Sequence, residues 1–492
     1  MPSPPLPDDD DGDKNQDAEG ILTGYLAALP PSVSLTGEDE GLLRSFLRTL
    51  CEGPDTPVPI PTLLTTSLPR TYHAGTGRSQ TEYLARAIKR ARHEVIFVTC
   101  FWAASDSLAI LSAALRELSA RALAGSRRIR VRICFSSVSA WQKVRQSFPP
   151  GGGGRKGRVR RTWECLEELG LPGRGEVRGL DVVVWSLFFP PFSVLHGKYC
   201  VVDRRSVFIG SGNVSWECWG EGCGGFGGGG FVSSVLAYYR AVWGDYGEVP
   251  GLAEDDDDGE EDREGEEEDA LKEIKEYPTI LLPNPHHPNP NFPIRSSIRS
   301  LTSLLLPCLP IPQQQQQQPH SPQPPPNTPQ NAFLLTLLSH AKTSITIHTP
   351  NLTSKPLLAS LLSAASRKLR ITIITCRNMM RLEQLATTPF STTESCVRAF
   401  VASLPGVENV HLGYWRGGGE VRQWHVKALI VDDAWTVIGS ANGDRASWWG
   451  SGEINVCVFG RGYARDVGGR LERWAVEAGG VEWVLGGREL AA

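Results

Sequence analysis

Two copies of one pattern supply the side chains in this chain that are best suited to chemistry. Each copy has a histidine, a lysine two residues later, an aspartate five residues after the lysine, then six residues and Gly-Ser-x-Asn. The copies consist of His196, Lys198, Asp203, Gly210, Ser211 and Asn213, and of His425, Lys427, Asp432, Gly439, Ser440 and Asn442. Six fixed residues at one spacing match by chance at roughly one position in 10⁸. The pattern is therefore a true repeat.

These residue types suit the cleavage of a phosphodiester. A neutral imidazole is a competent nucleophile at phosphorus, and a second, protonated imidazole can donate a proton to the leaving oxygen. Lysine and asparagine can hold the non-bridging oxygens and stabilise the charge of the transition state. We therefore predict a phosphohistidine reaction in which the two histidines, two lysines and two asparagines are catalytic. A buried structural histidine is the alternative for each ring, and the matched copies argue against it.

The spacing of cysteines and histidines indicates no metal site and no other cofactor. The eleven cysteines are scattered without a Cys-x-x-Cys pair, which favours a reducing, intracellular environment. His286 and His287 are adjacent in a proline-rich stretch without a third ligand at suitable spacing, so a loop is the better interpretation. We predict no metal and no cofactor.

The local pattern predicts a β-hairpin at each motif. Residues 199–202 and 428–431 are apolar, and a second short strand returns before each Gly-Ser. The histidine and lysine are two residues apart and therefore share one face of the sheet. Glycine at the end of the return strand would let the backbone approach a ligand, so Ser211 and Ser440 are predicted to bind substrate.

Upstream of each hairpin, the sequence alternates predicted helices with predicted strands. In the first half these are a helix at 83–92, a strand at 94–100, a helix at 107–123 and a strand at 129–135; in the second half they are at 333–341, 344–349, 356–367 and 369–375. This alternation predicts an α/β fold with a mixed or parallel sheet covered on both faces. A unit that occurs twice predicts two similar lobes that face each other.

Composition predicts the domain boundaries. We predict a disordered acidic tail at 1–20, a first lobe at 21–250, an acidic linker at 251–272, a connecting segment with a Pro/Gln-rich stretch at 273–332, and a second lobe at 333–492. Glycine runs at 151–154 and 224–230 are predicted to be flexible surface loops. The acidic stretches 1–20 and 254–269 carry net charges of -6 and -12, which leaves +14 on the remaining residues. That basic remainder favours an anionic substrate or surface.

The two motifs resemble the signature of the phospholipase D superfamily, which is His-x-Lys, four residues, Asp, six residues, then Gly-Ser/Gly-x-Asn. The resemblance implies two similar α/β/α lobes related by pseudo-twofold symmetry, with the active site between them. One chain would then suffice for a complete site. The second motif continues as Asn442-Gly-Asp444-Arg445-Ala-Ser447 to Glu453, which is similar to the cardiolipin synthase and phosphatidylserine synthase branch.

The same resemblance implies roles for further residues. Glu453 would orient His425, and Glu221, or else Glu217, would orient His196. Asp203, Asp432, Gly210 and Gly439 would be structural members of the motif. By analogy His196 is the nucleophile and His425 the general acid and base, although the residues alone permit either order.

The sequence leaves the substrate open between phospholipid and nucleic acid. The Asn-x-Asp-x-Arg-Ser continuation and the aromatic residues near the motifs favour a phospholipid at a membrane surface. Aromatic rings also suit stacking on bases, so a nuclease is the first alternative; an inactive binding protein with the same fold is the second. The chain lacks an apolar stretch of transmembrane length and an evident targeting signal. We expect an intracellular protein, either cytoplasmic or peripherally membrane-associated.

Overall fold

The computed structural model describes residues 11–139, 159–189, 193–244, 275–287, 324–381, 384 and 391–486. The glycine run at 151–154, the acidic linker at 251–272 and most of the Pro/Gln-rich stretch lie outside the described residues. Within the described ranges, no helix is long and apolar enough to cross a membrane.

The first half of the chain contains ten strands and six helices in its described part. The strands are β1 (Leu64–Pro69), β2 (His73–Thr76), β3 (Glu94–Val98), β4 (Ile129–Phe135), β5 (Val159–Trp163), β6 (Leu180–Phe189), β7 (Ser193–Val194), β8 (Tyr199–Val202), β9 (Ser206–Gly210) and β10 (Trp219–Gly227). The helices are α1 (Asp11–Ala28), α2 (Gly37–Cys51), α3 (Ile60–Leu63), α4 (Gly77–Arg90), α5 (Asp106–Ala124) and α6 (Gly229–Trp243). Helix α4 begins six residues before its predicted start, because the Thr76 hydroxyl caps it by accepting from the Ser79 N–H.

The second half repeats this alternation. Its described strands are β11 (Tyr277–Asn284), β12 (Ser344–His348), β13 (Arg370–Thr375), β14 (Val410–Trp415), β15 (Gln423–Trp424), β16 (Ala428–Val431), β17 (Trp435–Gly439), β18 (Glu453–Phe459) and β19 (Val481–Leu485). Its described helices are α7 (Pro329–His340), α8 (Lys355–Ser366), α9 (Thr393–Ala402), α10 (Arg445–Trp449) and α11 (Arg461–Glu477). The eight helices and strands predicted upstream of the two motifs are all present; the strand at 129–135 has its predicted bounds and the other seven have shifted ends.

The same order of six strands occurs in both halves. In the first half it is β6-β4-β3-β8-β9-β10, with β6, β4 and β3 parallel and the rest antiparallel. In the second half it is β14-β13-β12-β16-β17-β18, with the same directions. The structure thus has the mixed α/β sheet that the sequence predicts, and each motif lies on the corresponding hairpin of its half.

Strands β1 and β11 join the two halves into one continuous sheet. Strand β1 pairs with β10 at one end and with β11 at the other, and β11 pairs along its length with β18. Residues 273–332 are therefore more than a connection, because they contribute a buried strand and the start of α7. The strand was not predicted from the sequence, because proline and polar residues surround its eight, mostly apolar residues.

The N-terminal residues depart from two predictions. Helix α1 begins at Asp11, inside the segment predicted to be disordered, and Ala18 and Leu22 on it belong to the core. Glu19 pairs with Arg44 and Arg48 of α2. Helix α2 packs on α7, so the segment assigned to the first lobe by composition lies against the second. The free energy gained by burying a few apolar side chains of α1 outweighs the unfavourable effect of the acidic residues in this segment.

The glycine run at 224–230 is not the flexible loop that was predicted. Its first four residues belong to the buried strand β10, and α6 begins at Gly229. A Cβ on Gly224 would lie 2.5 Å from Cδ1 of Ile438 in the second half. Glycine is needed here because the two halves approach each other closely.

Candidate active site

Each motif aspartate anchors its hairpin at the end remote from the histidine. The residue pairs Asp203–Arg204 and Asp432–Asp433 have positive φ values of 51° to 54° and begin the three-residue loop that joins the two strands of each hairpin. The Asp203 carboxylate accepts from the N–H groups of Arg92, His93 and Glu94 at 2.7–2.8 Å. The Asp432 carboxylate accepts from Lys342, Thr343 and Ser344 at 2.7–2.9 Å. Both aspartates therefore tie the motif hairpin to the start of a parallel strand.

The motif glycines make room for a neighbouring strand and not for a ligand. A Cβ on Gly439 would lie 2.4 Å from the carbonyl oxygen of Ile454 on β18. On Gly210 it would lie 3.1 Å from the carbonyl oxygen of Gly222 on β10, and 2.9 Å from the Gln80 amide. At both glycines, the space that a Cβ would occupy is filled by a neighbouring strand. The prediction that this space admits a ligand is therefore wrong.

The two histidines are held by glutamates of the opposite half. Nδ1 of His196 lies 3.0 Å from the Glu453 carboxylate, and Nδ1 of His425 lies 2.8 Å from the Glu221 carboxylate. The pairing implied by the resemblance, Glu453 with His425 and Glu221 or Glu217 with His196, is therefore wrong.

Backbone contacts between the halves explain the crossed pairing. The N–H of His196 donates to the Gly452 carbonyl at 2.6 Å, and the N–H of His425 donates to the Gly220 carbonyl at 2.7 Å. Each glycine immediately precedes one of the two glutamates. In addition, β10 pairs in parallel with β15, the strand that leads into His425. Each histidine thus lies beside the carboxylate of the other half.

The motif serines support these glutamates. Ser211 Oγ donates to Glu221 at 2.5 Å, and Ser440 Oγ donates to Glu453 at 2.6 Å. Both serines are buried. Their hydroxyls point to the side of the strand where the glutamate lies, and the substrate-binding role predicted for them stays a prediction. Glu453 has one more donor, Ser447 Oγ at 2.7 Å.

Both motif lysines are buried and donate to their own histidine's carbonyl. Lys198 Nζ lies 2.6 Å from the His196 oxygen, and Lys427 Nζ lies 2.7 Å from the His425 oxygen. Burial lowers the pKa of Lys427 well below its usual value, against the opposing effect of the Glu221 charge. Lys427 also lines a cavity of about 60 Å³ with Asn442.

The two motif asparagines are oriented by different groups. Asn213 Oδ1 accepts from the backbone N–H of Phe101 at 3.2 Å, which leaves its amide nitrogen available. Asn442 Nδ2 donates to Asp444 at 3.1 Å, and its buried Oδ1 has no hydrogen-bond partner among the described residues. Phe101 and Asn351 belong to the surroundings of these asparagines, since the Phe101 N–H donates to Asn213 and Asn351 Nδ2 lies 3.4 Å from Asp444.

Electrostatics link the histidines, glutamates and lysines into one site. Burial lowers the pKa of His196 and lowers that of His425 well below the usual value, and the charges of Lys427 and Lys198 contribute in both cases. Burial raises the pKa of Glu221 to about 7, although the two lysines oppose this. For Glu453, burial is outweighed by His196, Lys198 and the serine hydroxyl, and its pKa stays below the usual range. Both imidazoles are therefore neutral near pH 7.

Several contacts at the site were not singled out in the sequence. The Trp219 ring lies 4.7 Å from the His425 ring, and Ser447 holds Glu453. The signal for Ser447 is its place in the Asn-x-Asp-x-Arg-Ser run, whereas no sequence signal separates Trp219 from the core aromatic residues. His286 stacks on Phe189. No cluster of three or more potential metal ligands occurs among the residues that the structure describes.

Known proteins show similarity in sequence and in fold. Residues 334–474 match the family model described as cardiolipin synthase, PLD-like domain. No curated protein matches the sequence significantly. The solved structure of phosphatidylserine synthase from Haemophilus influenzae Rd KW20 is 12% identical, has a TM-score of 0.51, and covers 86% of this chain and 90% of that chain. At this identity the likeness shows the fold.

Two smaller structures also match part of the chain. Nuc, a phospholipase D family member from Salmonella typhimurium, is 19% identical with a TM-score of 0.24, over 31% of this chain and 90% of that chain. NucT from Helicobacter pylori is 15% identical with a TM-score of 0.26, over 42% of this chain and 98% of that chain.

Proposed function

We propose that this chain is a member of the phospholipase D superfamily, in its cardiolipin synthase and phosphatidylserine synthase-like branch, and that it hydrolyses or transfers phosphatidyl groups of phospholipids. The match over residues 334–474 and the fold support this proposal. The observation that carries the proposal is the crossed pairing of the histidines with Glu453 and Glu221. A carboxylate on Nδ1 fixes the imidazole tautomer and directs Nε2 to the reaction. Two such imidazoles are the acid and base that a metal-free phosphodiester exchange needs.

In the proposed reaction, Nε2 of His196 attacks phosphorus and the bond from phosphorus to the headgroup oxygen breaks. His425 donates its Nε2 proton to that oxygen, and the headgroup leaves as an alcohol. His425 then removes a proton from water or from an acceptor alcohol, whose oxygen attacks phosphorus and displaces His196. The lysines and asparagines of both motifs would hold the non-bridging oxygens throughout.

The different surroundings of the two glutamates support this division of roles. Glu453 accepts from two serine hydroxyls and has a lowered pKa, so it stays ionised and keeps a proton on Nδ1 of His196. The Nε2 lone pair of His196 is then free to attack. Glu221 has a pKa raised to about 7 by burial. The His425–Glu221 pair can therefore hold the extra proton that a leaving group requires.

Support for a lipid substrate comes from the second half and from the rim of the site. Residues 334–474 match a cardiolipin synthase model. Trp216, three residues after Asn213, is 62% exposed and packs edge-on against Phe101 with ring centroids 5.7 Å apart. Exposed indole rings suit the boundary between lipid headgroups and acyl chains. The same ring could stack on a base, so single-stranded DNA is the competing substrate to test.

The test compares the unaltered protein with His196→Asn and His425→Asn on vesicles that contain phosphatidylcholine with a labelled headgroup, phosphatidylglycerol and phosphatidylserine. Release of headgroup, and formation of a new phosphatidyl ester when a primary alcohol is added, are expected for the unaltered protein and in EDTA. His340→Asn, whose ring contacts Ser45 on α2, is the matched control. If the protein cleaves a fluorescent single-stranded oligonucleotide but releases no headgroup from any vesicle, the phospholipid proposal is refuted and the nuclease alternative is supported.

A further inference from the structure

Four buried amide side chains surround the loop between Ser440 and Glu453, and each is at most 3% exposed. This set, which we call the amide cluster, consists of Asn284 at the end of β11, Gln330 and Asn331 at the start of α7, and Asn455 on β18. None of its members was predicted as a site residue, and three of them lie in the segment 273–332 that was predicted to be a connection. Because a buried amide requires hydrogen-bond partners, those partners indicate what the cluster holds.

Three members of the cluster hold the short helix α10. Asn284 Nδ2 donates to the Ser447 carbonyl at 2.7 Å, and Gln330 Nε2 donates to the same carbonyl at 3.2 Å. Asn331 Nδ2 donates to the Trp448 carbonyl at 2.8 Å. A helix of five residues is too short to be stable by itself, so its position depends on such contacts.

The fourth member holds the other end of the same loop. Asn455 Oδ1 accepts from the Ala441 N–H at 3.0 Å, and Asn455 Nδ2 donates to Gln330 Oε1 at 2.9 Å. Ala441 immediately precedes the motif residue Asn442. Gln330 therefore links the backbone before Asn442 with the helix that carries Ser447.

The loop held in this way positions two groups of the candidate site. Ser447 Oγ donates to Glu453 at 2.7 Å and accepts from the Asn442 N–H at 3.1 Å. Glu453 in turn lies 3.0 Å from Nδ1 of His196. Since a hydrogen bond weakens steeply when its geometry departs from the optimum, a shift of Ser447 would weaken its contacts with Glu453 and Asn442. The amide cluster thus lies directly behind the carboxylate that orients His196.

The first half differs at the position of Asn455. Asn455 is paired with the motif glycine Gly439, whereas the residue paired with the matching Gly210 is Cys223. A thiol is only a weak hydrogen-bonding group. The amide contact of Asn455 therefore belongs to the half that carries Glu453, the carboxylate assigned to the nucleophile.

We propose that the amide cluster positions the nucleophile by holding Ser447 against Glu453, with Gln330 as its central member. This inference rests on the proposed function and gives the segment between the two motifs a part in it. A looser α10 would weaken the hydrogen bond to Glu453 and raise the pKa of that carboxyl, which would then be protonated at higher pH. Four other titratable groups face Glu453 and stay unchanged in the variants below: His196, Lys198, Lys427 and Tyr238.

Hydrogen–deuterium exchange tests the structural step without any turnover. In the full-length protein, Gln330→Met keeps the length of the side chain but removes its hydrogen bonds, and Asn284→Ala removes a second contact with α10. We expect both variants to increase the exchange rate of the backbone amides at 445–451 by about fivefold, which corresponds to one neutral hydrogen bond. Asn409→Ala, which removes an exposed amide that donates to the Lys368 carbonyl at 3.3 Å, is the matched control and should leave this rate unchanged. Circular dichroism at the measuring temperature checks that each variant is folded.

The pH profile tests the catalytic step. Gln330→Met should lower kcat about fivefold and move the fall of kcat/KM at low pH to higher pH, as expected for Ser447→Ala. Because both changes act through one hydroxyl, the double variant should lose no more activity than Ser447→Ala alone. Asn409→Ala should have the rate and the pH profile of the unaltered protein.

Two results would overturn the inference. The first is an unchanged exchange rate at 445–451 in both variants, which would show that the amide cluster does not hold α10. The second is faster exchange with an unchanged pH profile, or losses that multiply in the double variant, which would limit the cluster to packing. If the unaltered protein turns over no phosphodiester, the proposed function fails, and faster exchange in Gln330→Met and Asn284→Ala would retain the cluster as the support of Ser447 alone.

Discussion

The two half-sites have the same hairpin, the same histidine and lysine geometry and a glutamate from the opposite half, yet they surround that glutamate differently. Glu453 accepts from Ser440, Ser447 and His196, whereas Glu221 accepts from Ser211 and His425. The pKa of the first carboxyl lies below its usual value, and that of the second is raised to about 7.

In the proposed reaction, this difference assigns two unlike tasks to the two copies of the motif. A nucleophile needs a partner that remains ionised, while a general acid needs a partner that can share a proton near neutral pH. One additional serine hydroxyl distinguishes the surroundings of the two buried carboxyls, although the histidines themselves occur in matching motifs. In this proposal the glutamates and their donors therefore decide the two roles.

The largest loss of activity is expected when either histidine is replaced. Substrates with different leaving groups distinguish the roles of the two rings. His196→Asn should reduce kcat by about 10⁴-fold or more on every phosphatidyl substrate, because no covalent intermediate can form. His425→Asn should lose about 10²–10⁴-fold on a choline headgroup, but much less on a p-nitrophenyl ester, which needs no proton to leave. Steady-state kinetics with both leaving groups measure this. The reverse pattern would exchange the two roles.

The next effect concerns the glutamates and the pH profile. Because the pKa of Glu221 is raised to about 7, the proton needed by the choline leaving group is present below that pH and is lost above it. We expect kcat/KM to fall as pH rises through about 7. Glu221→Gln should lower activity by about 10²-fold and abolish this break. Glu453→Gln should cause a comparable loss but keep the break; a break that survives in Glu221→Gln would contradict the assignment.

The aspartates should affect folding more than chemistry. Replacing Asp203 or Asp432 with alanine leaves three backbone N–H groups without an acceptor, which is expected to lower the free energy of unfolding by about 3 kcal/mol. Asp432 also accepts from the Thr343 hydroxyl, so its replacement should cost slightly more. Urea unfolding followed by tryptophan fluorescence measures both. Normal stability together with lost activity would instead assign the aspartates a direct catalytic role.

The smallest effect is expected for Ser447, the donor that only one half-site has. Ser447→Ala should lower kcat about tenfold without a change in KM, since a hydrogen bond to a charged group contributes about 1.5 kcal/mol at the lower end of its range. Ser447→Thr should restore most of the rate because it keeps the hydroxyl. Because the proposed reaction needs Glu453 ionised, kcat/KM should also fall at low pH as this carboxylate is protonated, and the fall should move to higher pH in Ser447→Ala, which lacks one donor to Glu453. An unchanged pH profile of kcat/KM would indicate that Ser447 contributes to packing alone.

Much of the fold could be predicted from local sequence patterns. Apolar runs such as 129–135 and 428–431 occur as strands with the predicted bounds, because a short buried strand needs little more than its own side chains to be recognised. The strand 277–284 was missed, since its pairing with β1 and β18 is not visible in its polar and proline-rich surroundings. The helix at 11–28 was missed for a related reason, as a few buried residues decide its placement.

For the active site, the sequence by itself determined which residue types are present and at what spacing: two histidines, two lysines and two asparagines on matched hairpins, with a glutamate after each. Only the tertiary structure decided which glutamate meets which histidine and that the serines donate to the glutamates. The physical reason for the crossed pairing is that the histidine–glutamate contacts join residues more than 200 positions apart, and their geometry is set by strand pairing between the halves, which no local pattern encodes.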